Sequence, residues 1–139
     1  MSKIMRFGVS LDSDLLCRFD ALIGSLGYAN RSEAIRDLIR DRLVVKEWKN
    51  EDTETVGVLS LVYEHETREL TEKLNAIQHE QFNLVVASTH VHLDAHNCLE
   101  VIILKGTSGL IRKISDRLLI TKNVKHGRLI TTTTGVNID

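Results

Sequence analysis

The chain has 139 residues, room for one ordinary domain or two small ones. Hydrophobic residues make up 42% and charged residues 27%, a globular composition that excludes general disorder, and no apolar run approaches the roughly 18 residues a membrane span requires. A net charge of -1 excludes a global basic signature, so any nucleic-acid binding must depend on a local surface.

The opening MSKIMRFGVS lacks the apolar stretch of a secretory signal. A cytoplasmic protein with no membrane partner is therefore expected. In that reducing compartment Cys17 and Cys98 are expected to be free thiols or metal ligands rather than a disulfide.

From Lys3 to Leu11 polar and apolar residues alternate, with Arg6, Gly8 and Ser10 on one side and Phe7, Val9 and Leu11 on the other, which predicts a half-exposed strand. Asp12 is placed to cap a following helix whose apolar stripe is Leu15, Leu16, Phe19, Leu22, Ile23 and Leu26, and Gly27 to end it. Asn30 and Glu33 stand in capping-box spacing at the start of a second helix, which continues through Ile35, Leu38, Ile39 and Leu43. A lone strand leaves both its edges unpaired, so this β-α-α unit calls for a second chain pairing strand to strand.

The polar stretch KNEDTETVG reads as a hinge. It divides the chain into residues 1–48, a linker at 49–57, and a second domain at 58–139. Beyond it the pattern predicts a strand from Val56 to Tyr63, a helix from about Thr67 to Gln78, strands at 83–92 and 98–105, a helix over 108–121 and a strand near 124–133. That order is β-α-β-β-α-β, a ferredoxin-like arrangement, and the fold class of the whole chain is α+β.

The stretch THVHLDAHNC concentrates three histidines and a cysteine in ten positions. With strands 83–92 and 98–105 as a hairpin, the simplest register sets His92 opposite Cys98 and His90 opposite Glu100, all on one face. His96 falls in the turn, off that face. Val85, Ala87, Thr89, Val91, Leu99, Val101 and Ile103 are more uniformly apolar and are expected to pack against the helices. The face with Val86, His90, His92, Cys98, Glu100 and Ile102 is expected to meet another sheet.

A single strand histidine is usually solvated or hydrogen-bonded, and a single buried cysteine usually a small hydrophobe. Two histidines two residues apart beside a thiol, however, can converge on one ion at about 2.0 to 2.3 Å per ligand. His79 would supply a fourth ligand, but the seven steps from Asn83 to His90 span roughly 23 Å, beyond its reach within one chain. If two sheets pack antiparallel about a twofold axis, His79 of one chain meets the other chain's site. Three imidazoles and a thiolate suit zinc, copper or nickel.

The residues that carry these readings resemble the nickel-responsive transcriptional regulators of the NikR family over nearly the whole chain. The likeness rests on RFGVSLD followed by GYANRSEAIRDLIR, on VLSLVYEHE, and on the spaced set QH, HVHLDAHNCLE and LKG. GYANRSEAIRD alone would imply only a ribbon-helix-helix protein. The resemblance implies an N-terminal ribbon-helix-helix domain that enters the major groove of double-stranded operator DNA, and an ACT-like C-terminal domain that assembles a homotetramer.

By that likeness Arg6, Gly8 and Ser10 face the bases, although Gly8 stands where relatives carry a small hydroxyl residue, and Asn30, Arg31 and Ser32 meet phosphate. The implied nickel ligands are His90, His92 and Cys98, with His79 from a neighbouring chain, one ion per subunit bridging two chains. Glu100 is implied to orient an imidazole rather than bind the ion. Glu33 and Asp37 match positions that help hold a second cation between the domains, and a solvated helix face is the plainer account of them. Tyr63 and His65 match accessory positions near the metal-ordered helix. Arg68 matches a DNA-phosphate contact that Thr67, replacing a cation, weakens. The function implied is a repressor of nickel uptake genes that binds a palindromic operator when loaded with metal, and not an enzyme. The alternatives are an ACT-type regulator responding to a metabolite and a zinc metalloenzyme with Glu100 as base.

Overall fold

The computed structural model describes residues 3–66 and 68–139, and the chain forms two compact units, 1–39 and 40–139. In the first, helix α1 spans Ser13–Ser25, and the Asp12 side chain caps it by accepting the Asp14 amide at 2.9 Å. The helix closes in a Schellman motif: the amides of Tyr28 and Gly27 donate to the carbonyls of Ile23 and Gly24, at 3.0 and 3.1 Å. Gly27 permits this with φ +85°, a conformation that a Cβ would oppose.

Helix α2 spans Arg31–Lys49 and so begins in the first unit and ends in the second, with the Asn30 side chain accepting the Glu33 amide at 3.0 Å. The predicted strand at 3–11 makes no ladder, and its side chains are exposed, Ile4 and Phe7 at 92% and 72%. A strand is defined by its partner, and among the described residues of this unit no other segment is a strand that could pair with it.

The second unit contains strands β1 (Glu54–Glu64), β2 (Val85–His92), β3 (Asn97–Thr107) and β4 (Val124–Thr131), with helices α3 (Arg68–Glu80) and α4 (Ser108–Leu119). They form one antiparallel sheet in the order β2-β3-β1-β4, the ferredoxin-like topology the sequence pattern implied. Leu70, Leu74 and Ile77 of α3 and Ile111, Ile114 and Leu118 of α4 repeat at helical spacing and pack with Leu59, Leu61, Ile102 and Leu104 of the sheet. Each such fully buried aliphatic side chain contributes about 1.5–3 kcal/mol of transfer free energy.

The stretch expected to be a loose linker is held. Glu54 to Gly57 pair with β3, and the amides of Ser108 and Gly109 donate to the carbonyls of Thr53 and Glu51 at 2.9 and 3.0 Å. Just before it, Trp48 lies in the core of the second unit, with its indole N–H donating to the Thr132 carbonyl at 2.8 Å. Polar composition suggested a hinge, but backbone hydrogen bonds tie this stretch to β3 and to the start of α4.

A second correction concerns the two faces of the sheet. Cys98, Glu100, Ile102 and Leu104 point to the helix-covered side and are buried, whereas Ile103 and Val91 are exposed. From Ala87 onward the parity holds and the side is reversed, while Val85, before the bulge, pairs with Leu104 and packs against the core as expected. Both faces of β3 are apolar, so alternation alone could not say which one the helices cover. Val86, the extra residue at a bulge between Val85 and Ala87, stands exposed.

Candidate metal centre

The hairpin register matches the predicted one: His90 is opposite Glu100 and His92 opposite Cys98. Because successive strand side chains alternate, these four project from one face, where β2 is an edge strand. The thiol is fully buried, while both imidazoles remain exposed.

A fourth donor comes from the turn after β1. His65, His90, His92 and Cys98 have ligand atoms all within 4.8 Å of one another. Sγ of Cys98 lies 3.3 Å from Nδ1 of His65 and 3.5 Å from Nδ1 of His92. By sequence resemblance alone His65 is only an accessory residue. Tyr63 pairs with Cys98 across β1 and β3, which brings the turn two residues later over the same end of the sheet.

That turn is fastened to the β2–β3 loop. The His65 amide donates to the His96 carbonyl at 2.8 Å, so His96, off the ligand face, contributes through its backbone. The loop is itself held by Asp94, whose Oδ1 accepts the amides of His96 and Asn97 at 2.7 and 2.8 Å. Hydrogen bonds from the Asn97 side chain and from these amides pull the Asp94 carboxyl down to about 2.

Behind the histidines is a polar network. Tyr63 Oη lies 2.9 Å from Nδ1 of His90 and donates to Glu100 Oε2 at 3.2 Å, and Ser88 donates to Glu100 Oε1. Nδ1 of His90 is also 3.2 Å from Glu100 Oε2. Tyr63 has one proton, and the carboxylate takes it. The network is then satisfied when His90 carries its proton on Nδ1, which leaves Nε2 to face an ion. Burial, then the charge of Glu100 and its hydrogen bond, then Cys98, raise the Tyr63 phenol above its ordinary range and keep it a donor.

His79 is exposed in the last turn of α3 and is not part of this group. Arg68 is exposed at the start of α3, and Thr67 lies outside the described residues. In the first unit Arg6, Gly8, Ser10, Asn30, Arg31 and Ser32 are all exposed. Arg31 grips Asp20 through two parallel hydrogen bonds of 2.8 and 2.7 Å. Asp37 accepts the Tyr28 hydroxyl at 2.8 Å, one turn beyond exposed Glu33. Cys17 is a free, exposed thiol.

Soft thiolate and borderline imidazole donors within a few ångströms fit a late first-row ion and poorly fit magnesium or calcium. No helix among the described residues is long and apolar enough to cross a membrane.

Comparison with known proteins agrees with both units. Residues 56–132 match the NikR C-terminal nickel-binding domain, and residues 5–44 match the ribbon-helix-helix protein, copG family. A relative named for nickel-responsive regulation in Solibacter usitatus is 54% identical over 138 residues, 99% of each chain. Similarly named relatives occur in Nitratidesulfovibrio vulgaris, 53% identical over 99% of each chain, and in Pyrococcus furiosus, 53% identical over 97% of this chain and 98% of the relative.

Proposed function

The chain belongs to the NikR family of nickel-responsive regulators, and from that membership we propose that it represses nickel uptake genes by binding a palindromic operator in its metal-loaded state. The observation that carries the metal half of this reading is the convergence of His90, His92 and Cys98 on one face at the sheet edge.

In this reading His90, His92 and Cys98 hold nickel, and His79 of a neighbouring chain supplies the fourth donor, one ion per subunit. The exposed outer side of His90 and His92 leaves room for a residue from another chain. Glu100 and Tyr63 fix the tautomer and direction of His90, so that the ring meets the ion already oriented. Bound nickel would supply a crosslink between two chains and a planar preference that selects among metals.

The chain's DNA-facing side is its first unit. Arg6, Gly8 and Ser10 would lie toward the bases on a ribbon made with a second chain, and Asn30, Arg31 and Ser32 toward phosphate. The exposed apolar residues Phe7, Val9 and Leu11 support such pairing, because a second copy would cover them. Gly8 offers no side-chain donor or acceptor, so recognition at that position would rest on shape or water. Glu33 and Asp37 would hold a second cation, and Arg68 would touch DNA phosphate. The assembly proposed is a homotetramer in the cytoplasm.

Coupling is a modest energetic demand: a 100-fold change in DNA affinity corresponds to about 2.7 kcal/mol of linkage. The test of the metal assignment is the absorption spectrum during nickel titration. Thiolate-to-nickel charge-transfer bands should grow in the parent protein and be absent in Cys98→Ala. Bands of equal strength in both would remove Cys98 from the site.

A further inference from the structure

All four grouped donors belong to one chain. An ion bound tetrahedrally, at about 2.0 Å to nitrogen and about 2.3 Å to sulfur, sets its nitrogen-to-sulfur edges near ~3.5 Å. The two Cys98 edges measured here, 3.3 Å to His65 and 3.5 Å to His92, are close to that length. The rings of His65 and His90 each stand 4.8 Å from that of His92 between centroids, so three imidazoles are gathered around the thiol.

We propose that His65 is the fourth ligand of a second, intrachain binding mode, in which His65, His90, His92 and Cys98 enclose zinc without any residue from another chain. The proposal rests on the reading of His90, His92 and Cys98 as ligands, and it makes His65 the alternative to a neighbour's His79.

The position of His65 is built. Its amide is tied to His96, and His96 and Asn97 are tied to Asp94, so hydrogen bonds join the turn to the loop. His90 is aimed separately, by Tyr63 and Glu100. Zinc accepts a closed tetrahedral set of nitrogen and sulfur donors, and a square-planar ion does not. The two modes share three donors and exclude each other. Zinc held by His65 would therefore leave His79 unengaged and the chains unbridged, a means of discriminating between metals that needs no difference in raw affinity.

The experiment uses the full-length protein as parent, His65→Ala, His65→Gln, His79→Ala and Cys98→Ala. Cobalt(II) serves as a spectroscopic stand-in for zinc, and zinc affinity is read by competition with a chelator. The parent and His79→Ala should give the intense ligand-field bands of four-coordinate cobalt. Both His65 variants should lose those bands and bind zinc at least about tenfold more weakly, while the nickel charge-transfer bands persist. Unchanged cobalt bands and zinc affinity in both His65 variants would overturn the intrachain mode and leave the nickel reading standing. Loss of zinc binding in His79→Ala would overturn it too, since the zinc site would then bridge chains. Indifference of both metals to Cys98→Ala would remove the nickel reading and this proposal together.

Discussion

Nδ1 of His90 is 2.9 Å from the Tyr63 hydroxyl, so the ring nitrogen outside this hydrogen bond is Nε2. Outer hydrogen-bond partners of ligating histidines commonly carry tenfold to hundredfold of metal affinity. Tyr63→Phe keeps the buried ring and deletes only the hydroxyl. It should weaken nickel binding by about tenfold or more, measured by chelator competition. An affinity equal to the parent's would mean that the hydroxyl does not orient His90.

Glu100 is almost fully buried and accepts hydrogen bonds from both Ser88 and Tyr63. Glu100→Ala leaves the buried Tyr63 hydroxyl without this acceptor, and an orphaned buried donor costs about 1–3 kcal/mol. Urea unfolding of the metal-free protein should show a loss of that size with an unchanged denaturant slope. An unmoved midpoint would show that water or rearrangement replaces the carboxylate.

Much of this was legible in the sequence, for identifiable reasons. Helix caps at Asp12 and Asn30 and the pairing of His90 with Glu100 follow from local rules of spacing and parity. What failed was non-local. The face of β3 that the helices cover depends on where α3 and α4 pack, and both faces offer apolar side chains. Residues 50–57 looked like a hinge because their composition does not reveal that α4 and β3 take their backbone groups. His65 lies 25 positions before His90, and only the β1–β3 pairing brings it to Cys98. No local signal placed it beside Cys98.

Asp20 and Arg31 connect the two helices of the first unit with a bidentate pair. The hydrogen bond from Arg31 holds the Asp20 carboxyl below its ordinary value. A carboxyl depressed on folding stabilises fully above its unfolded pKa of about 3.9, and that contribution is lost as pH falls through the folded value. The gap in thermal midpoint between the parent and Asp20→Asn should accordingly be present at neutral pH and narrow below about pH 4. A gap that stays constant to lower pH would show that the charge of Asp20 contributes nothing.

Arg6 is exposed on a segment that forms no strand ladder among the described residues. If it reads guanine through two donors, Arg6→Ala should cost about 1–3 kcal/mol of operator binding. The loss should be smaller on DNA of unrelated sequence. Equal losses on both would reassign Arg6 to a phosphate contact.

The most direct test of the whole account is operator affinity by titration at fixed salt, with and without stoichiometric nickel, for the parent and for His90→Ala. The account predicts tight binding only for the nickel-loaded parent, with His90→Ala staying at the weak metal-free level in both conditions. Equal affinity with and without nickel in the parent would contradict it.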